Sequence, residues 1–134
     1  MKLRQFKVAI TNCLRSSRDL LKKGQPPGAH CYVASEALYH LIGGKGAGFK
    51  PMNIKHEGAS HWFLRGPGGI IIDLTVDQFI TIPNYSTARG RGFMTRGPSK
   101  RATILMGRVC RQIEWDEKQK RLGKRRLLKK TCPK

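Results

Sequence analysis

Residues 60–74 read SHWFLRGPGGIIIDL, and this stretch decides the fold. Two short apolar runs, 60–65 and 70–74, flank a Gly-Pro-Gly-Gly sequence that is typical of a tight turn between antiparallel strands. A third strand is predicted just upstream, over residues 51–56, where apolar and polar side chains alternate. The sequence therefore predicts a small antiparallel sheet at the centre of the chain.

Helices are predicted on both sides of this sheet. Residues 2–23 place apolar side chains at three- and four-residue steps between cations, which predicts an amphipathic helix that ends before Gly24. Residues 31–42 carry an almost entirely apolar or small-residue face and predict a buried central helix. Ser99 is expected to cap a long C-terminal helix, after an irregular segment over residues 80–98. The predicted fold class is α+β, with the small sheet packed on the central helix between basic terminal helices.

Charge is distributed unevenly along the 134 residues, whose net charge is +19 from 27 Lys and Arg against 8 Asp and Glu. Residues 25–88 hold four cations and four acids, whereas residues 118–134 hold nine cations and no acid. We therefore expect a single domain overall, organised as a basic N-terminal helix (1–24), a core (25–98) and a C-terminal helix with a basic tail (99–134).

The excess of cations predicts contact with a polyanion, either an acidic protein or a nucleic acid. A solvated face that only keeps the chain dispersed is the plainer alternative. The sequence has no zinc-finger spacing, RNA-binding signature or heptad zipper, so sequence-specific DNA recognition is not expected. The residues predicted to contact the polyanion are Arg89, Arg91, Arg96, Lys100, Arg101, Lys124, Arg125, Arg126, Lys129 and Lys130.

Composition also excludes several classes of protein. No run approaches the roughly 20 apolar residues of a membrane span, and no secretory signal is recognisable, so we expect a cytoplasmic protein without membrane contact (in the host cytoplasm if the chain is viral). The four cysteines lie far apart and are expected to be reduced. We expect neither a cofactor nor a metal. A structural zinc site using Cys31 and histidines is a third and weaker alternative.

One set of residues can perform chemistry: Cys31 at a helix start, His61 on a strand and Asp73 at the end of the next strand. A thiol is nucleophilic when a neighbouring imidazole takes its proton and an acid orients that imidazole. The free N–H groups of a first helical turn also favour the thiolate. With the turn centred on residues 67–68, the position opposite His61 is near residue 74, within one residue of Asp73. Asp77 and Asn84 are rival orienting residues.

Other candidates surround this set. Gln25, six residues before Cys31, is expected to donate its amide to an oxyanion, together with the backbone N–H of Cys31. The main role expected for Trp62 is to pack against the sheet, and a wall of the substrate site is its second expected role. His30 and His56 are expected at the surface.

The order along the chain, a Cys at a helix start, then a His-bearing strand, then an Asp-bearing strand, resembles that of the papain-like and transglutaminase-like cysteine enzymes. His61-Trp62 followed by Asp73-Leu74-Thr75 is similar to the transglutaminase core, with Leu74 where proline is common, and the Gln25–Cys31 spacing is similar to papain. The likeness covers about residues 25–79; the whole chain also resembles small tailed-phage proteins. The resemblance implies hydrolysis, deamidation or acyl transfer at an amide, isopeptide or thioester bond.

Two functions from different classes thus follow from the sequence. The first is an intracellular cysteine hydrolase or acyl-transferase whose basic termini dock on an acidic partner. The second is a noncatalytic polyanion-binding protein, such as a nucleic-acid binder, on the same fold.

Overall fold

The computed structural model describes residues 3–21 and 30–131, with side chains as far as residue 125. Within these ranges the chain forms three α-helices and a four-stranded antiparallel sheet, which confirms the predicted α+β class. The helices are α1 (Leu3–Arg15), α2 (Cys31–Leu41) and α3 (Lys100–Thr131). The strands are β1 (Lys50–His56), β2 (Ala59–Arg65), β3 (Ile71–Ile72) and β4 (Arg89–Gly90), in the spatial order β3-β2-β1-β4.

The main apolar core lies between the three helices and one face of the sheet. Leu64 and Ile72, which pair across β2 and β3, contribute to the same cluster as buried residues of α1, α2 and α3. The helix residues of this cluster are Phe6, Ala9, Ile10, Cys13, Val33, Ala34, Ala37, Leu38, Ala102, Leu105, Val109 and Ile113. Because side chains alternate along a strand, Phe63 faces the other way and packs with Met52 and Ile54. The basic terminal helices are therefore part of the folded core.

The start of α3 is fixed to α2 by a buried acid. Ser99 caps the helix as predicted, since its hydroxyl oxygen accepts from the backbone N–H of Ala102 at 3.2 Å. Glu36 of α2 is fully buried, and its carboxylate accepts from the backbone N–H and the hydroxyl of Ser99, each at 2.7 Å. The carboxylate of Glu36 is thereby satisfied inside the protein.

The first helix is shorter than predicted. α1 ends at Arg15, and a separate 3-10 turn follows over Arg18–Leu20. The hydroxyls of Ser16 and Ser17 both donate to the carbonyl of Cys13, at 3.2 and 2.6 Å. Such side-chain bonds compete with the helical backbone ladder and end it early.

The sheet differs from the prediction in two places. The pairs Leu64–Ile72 and Arg65–Ile71 put residue 75 opposite His61, one position further than expected, and Asp73 diagonally across on the same face. The segment 80–98 is not wholly irregular, because β4 pairs with β1 through Met52–Gly90 and Asn53–Arg89. A two-residue strand carries no alternation that a sequence pattern can show.

Candidate active site

Three elements bring the predicted catalytic residues together. Cys31 is the first residue of α2, and its half-buried side chain is a free thiol. His61 is a fully buried residue of β2, and Asp73 follows directly after β3. The β2–β3 hairpin therefore supplies the imidazole and the carboxylate, while the start of a helix supplies the sulfur, as the sequence predicted.

The carboxylate of Asp73 holds the imidazole of His61. Oδ2 lies 2.7 Å from Nε2 of His61, and the two side chains are 4% and 0% exposed. Oδ2 also accepts from the hydroxyl of Tyr85 at 2.8 Å, and Oδ1 accepts from the backbone N–H of Thr75 at 3.3 Å. Burial and the bond to Asp73 raise the pKa of Tyr85 far above its usual range, so this phenol remains a donor. Asp73 is thus fixed from three directions.

The electrostatics of His61 favour its protonated form. Burial, the largest influence, lowers the pKa of the imidazole, but hydrogen bonding and charge interaction with Asp73 and Cys31 outweigh it and raise the pKa to about 9. The raised pKa favours the imidazolium at neutral pH, and Asp73 and Cys31 are the two groups that stabilise it.

Gln78 is a site residue that sequence reasoning missed. Its side-chain nitrogen lies 3.0 Å from Nδ1 of His61, the ring nitrogen that Asp73 does not occupy, and 3.3 Å from the hydroxyl oxygen of Thr75. It belongs to the 3-10 turn Val76–Gln78, which carries the chain from the end of β3 back over the imidazole. Its place three residues after Thr75, directly past the end of the predicted strand over residues 70–74, was the available signal.

Aromatic rings close the pocket around His61. The ring of Phe79 meets His61 edge-on at 4.6 Å, and Phe63 stacks on it at 6.3 Å. Phe79 also meets His56 edge-on at 4.8 Å, and Nε2 of His56 lies 2.9 Å from the carbonyl oxygen of Thr81. The prediction that His56 faces solvent was therefore wrong: it is half-buried and fixes the segment that covers the site.

Trp62 is buried on β2 and is 6% exposed. It meets Tyr32 edge-on at 4.9 Å and stacks on Phe93 at 5.5 Å, while the guanidinium of Arg91 sits 5.5 Å above its ring. These contacts agree with the main role predicted for Trp62, which is to pack the sheet. Its second predicted role, as a wall of the substrate site, stays a prediction. Tyr32 follows Cys31 directly, so this aromatic stack supports the start of α2.

The other candidates for the site are placed as follows. Gln25 lies outside the described residues, so its oxyanion role stays a prediction. Of the rival orienting residues, Asp77 is exposed, and the side-chain oxygen of Asn84 accepts from the hydroxyl of Ser86 at 2.6 Å. Asp73 is the acid that contacts His61.

His30 corrects a second prediction. It is 5% exposed, at the N-cap position of α2, and its Nε2 lies 3.1 Å from the carbonyl oxygen of Ser17. Rather than lying on the surface, it ties the start of α2 to the segment that follows α1. Cys13 and Cys110 are free thiols at buried and half-buried positions, and Cys132 lies outside the described residues.

Most of the residues predicted to contact a polyanion have exposed side chains. Exposed side chains are found at Arg89, Arg91, Arg96, Lys100, Lys124 and Arg125. Arg101 differs, because it is half-buried and donates to the carbonyl of Leu20 at 2.7 Å. Arg126, Lys129 and Lys130 lie within α3, with side chains outside the described part of the chain.

Two other features are absent from the described residues. No group of three or more His, Cys, Asp or Glu side chains is arranged to hold a metal ion. No described helix combines the length and the apolarity that crossing a bilayer requires. Compared with protein-family models, with curated proteins and with solved structures, the chain matches none.

Proposed function

We propose that this protein is a cysteine hydrolase or acyl-transferase that acts on an amide, isopeptide or thioester bond. Cys31 is the nucleophile, His61 the acid and base, and Asp73 the group that orients His61. The observation that carries the proposal is the 2.7 Å contact between the buried carboxylate of Asp73 and the imidazole of His61, with Cys31 on the same ring. A histidine exposed at the surface would not need a buried carboxylate to hold its ring in place.

The first half of the reaction uses the thiolate–imidazolium pair. The sulfur of Cys31 attacks the carbonyl carbon, a C–S bond forms, and the carbonyl electron pair moves to oxygen. The backbone N–H of Cys31 donates to that oxygen, and Gln25 is the proposed second donor. When the tetrahedral species collapses, the C–N bond breaks and His61 gives the proton on Nδ1 to the leaving nitrogen. The products are an amine and a thioester on Cys31.

The second half regenerates the enzyme. Water or an acceptor amine gives a proton to His61 as it attacks the thioester carbon, and the C–S bond breaks to restore the thiolate. Water as acceptor gives hydrolysis, or deamidation when the leaving group is ammonia, while an amine gives acyl transfer. Throughout, Asp73 keeps Nε2 of the ring occupied and directs Nδ1 to the reacting atoms.

The exposed cations support a proposal about the class of partner. We propose that the exposed cations dock the enzyme in the cytoplasm (the host's, if the chain is viral) on an acidic protein or a nucleic acid. Electrostatic docking of this kind raises the local concentration of the substrate and weakens as salt increases.

The test uses p-nitrophenyl acetate, a small acyl donor that needs no knowledge of the natural substrate. We expect a burst of p-nitrophenolate and one acetyl group on Cys31 by peptide mass mapping. The Cys31→Ala variant should lose both, and His61→Ala should slow the burst. Cys110→Ala, which removes another half-buried thiol, is the matched control and should keep the full burst. Acetylation that persists in Cys31→Ala at the wild-type rate would contradict the assignment.

The second candidate function, a noncatalytic polyanion binder, is favoured by one observation. Among the described Lys and Arg side chains, Arg108 alone forms an ion pair, with Asp19 at 2.7 Å. For this function, retention on heparin should fall steeply between about 50 and 200 mM salt. Cys31 should then react with p-nitrophenyl acetate no faster than Cys110.

A further inference from the structure

The central segment, residues 25–88, has equal numbers of cationic and acidic side chains, but these are not equally exposed at its surface. Two of its four acids have buried side chains: Glu36 binds Ser99, and Asp73 binds His61. Glu57 is exposed, but its carboxylate accepts from the backbone N–H groups of residues 80 and 81 at 3.0 and 2.8 Å. In the described part of the chain the four cations of this segment form no ion pair and none is buried, so equal numbers of charges leave more positive than negative charge exposed.

Five unpaired cations meet at the β4 edge of the sheet. Arg89 lies opposite Asn53, and Arg91 continues the ladder by donating its backbone N–H to the carbonyl of Pro51 at 3.1 Å. By strand alternation, Arg89, Arg91 and Lys55 share one face. The five exposed cations are Lys45, Lys50, Lys55, Arg89 and Arg91, and in the described part of the chain none has an acidic partner.

Two adjoining cavities lie between these cations. The first, about 590 Å³, is lined by Lys45, Lys50 and Arg91, with the half-buried rings of Tyr39 and Phe49. The second, about 440 Å³, is lined by cations of β1 and β4 and shares Gly90 and Arg91 with the first. Neither lining includes an Asp or Glu among the described residues. We call this pair of cavities the β4 groove.

The side chain of Lys50 lies over Gly90. A Cβ atom at position 90 would run into Cε and Nζ of Lys50. Because these atoms are the flexible end of a lysine, a side chain at this position would displace the ammonium and leave the strand in place. Gly90 therefore allows the Lys50 ammonium to lie over the edge strand, within the lining of the first cavity.

We propose that the β4 groove binds single-stranded nucleic acid without sequence preference. Sites of this type combine a cationic groove that follows the phosphates with aromatic rings on which bases stack. Tyr39 and Phe49 supply such rings beside Lys50 and Arg91, whereas an acidic peptide would use the cations alone. The proposal deepens the docking part of the proposed function, because it names the partner; it does not depend on acyl chemistry.

The β4 groove is also linked to the nucleophile. Arg91 covers one face of Trp62, Trp62 meets Tyr32 edge-on, and Tyr32 follows Cys31. A strand held at Arg91 therefore lies two rings away from the start of α2.

The test measures binding of a fluorescent oligo(dT) 12-mer by anisotropy over a range of salt concentrations. The variant Lys50→Glu/Lys55→Glu/Arg89→Glu changes three exposed groove cations, and Lys118→Glu/Lys120→Glu/Arg121→Glu makes the same charge change on α3. We expect about a 30-fold loss of affinity and a salt slope smaller by about 2 for the groove variant, against about 3-fold for the control. Equal losses in the two variants would overturn the proposal, because binding would then follow net charge alone.

Two further measurements separate the alternatives. Phe49→Leu should weaken oligo(dT) binding several-fold and leave polyphosphate binding unchanged, since polyphosphate has no bases to stack. A poly-glutamate peptide that binds the β4 groove more tightly than oligo(dT) would overturn the assignment in favour of an acidic protein. Cys31→Ala should bind oligo(dT) like the wild type, so failure of binding and failure of catalysis are recognised independently.

Discussion

The pocket around His61 and the β4 groove lie on neighbouring strands, but they differ in the burial and the pairing of their charged groups. In the pocket, both the imidazole and the carboxylate of Asp73 are buried and satisfied by partners of the same chain. At the β4 groove, Lys55 and Arg89 are exposed and have no acidic partner among the described residues. A buried charge must be paired to be tolerated, whereas an exposed one can be left for an external partner. The difference separates a site built for chemistry from a surface available for binding.

The largest effect is expected when the buried pair is broken. Asp73→Asn removes the charge that holds His61 protonated, so the thiolate of Cys31 loses its stabilising cation. We expect alkylation of Cys31 by iodoacetamide at pH 7 to slow roughly 10- to 100-fold and the free energy of unfolding to fall by about 3 kcal/mol.

Asp77→Asn is the matched control, because it makes the same change at an exposed acid four residues along the chain. It should leave the alkylation rate unchanged and the stability within about 0.5 kcal/mol. Similar losses in the two variants would mean that Asp73 has no special relation to His61, and the comparison between pocket and surface would fail.

The second effect is a dependence of stability on pH. The folded protein holds the proton of His61 up to about pH 9, whereas the unfolded chain releases it near its ordinary value of 6.5. Taken alone, the imidazole binds more protons in the folded state between these values, so it makes the free energy of unfolding fall as pH rises. In the wild type, a thiolate at Cys31 lacks the proton that His61 holds, so the two contributions offset each other and the curve should be nearly flat between pH 6.5 and about 8.5. In Cys31→Ser the contribution of His61 is fully present below pH 6.5, and up to about 3 kcal/mol should be lost by pH 9.

Urea unfolding at half-unit steps from pH 6 to 9 measures this slope. Made in the Cys31→Ser protein, both His61→Gln and Asp73→Asn should flatten its slope, so the result does not depend on one variant that folds. A flat Cys31→Ser curve would mean that His61 is neutral in the folded protein, and a wild-type curve as steep as that of Cys31→Ser would mean that Cys31 keeps its proton. Either result would remove the basis of the thiolate–imidazolium pair.

The proximity of Cys31, His61 and Asp73 could be predicted because each residue sits at a point that local sequence marks. Cys31 follows a Pro- and Gly-containing loop and opens a helix, and His61 and Asp73 flank a Gly-Pro-Gly-Gly turn. Turn chemistry fixes which strands are adjacent, and adjacency brings the two side chains together. The register was one position off, but the diagonal neighbour on the same face is still within reach.

The missed features depend on tertiary packing. Gln78 reaches His61 because the turn after β3 folds back over the ring, a direction that local sequence does not encode. His30 is buried because α2 packs against the segment after α1. The positive β4 groove was hidden because net charge counts Glu36 equally with Lys50, although burial removes the acid from the surface.

A smaller effect is expected from Gln78→Ala. The amide nitrogen of Gln78 can only donate, so its contact with Nδ1 of His61 requires a ring nitrogen without a proton, whereas the thiolate–imidazolium pair requires a protonated one. Gln78 therefore stabilises the neutral imidazole at the expense of the ion pair. A hydrogen bond contributes about 1 kcal/mol, so its removal should speed the alkylation of Cys31 at pH 7 by about 5-fold. Gln112→Ala, on the exposed part of α3, should leave the rate unchanged. A slower rate would show instead that Gln78 holds the imidazole in its working orientation.

The smallest effect is expected at the groove, and it is the sharpest test of the comparison. Lys55→Ala/Arg89→Ala removes two exposed cations that make no ion pair, so the free energy of unfolding should stay within about 0.5 kcal/mol of the wild type. Arg108→Ala is the contrasting control. The guanidinium of Arg108 donates to both carboxylate oxygens of Asp19, at 3.0 and 2.7 Å, so its removal should lower the free energy of unfolding by more. If the groove variant were the less stable of the two, its cations would be serving the fold, and they would not be free to bind a partner.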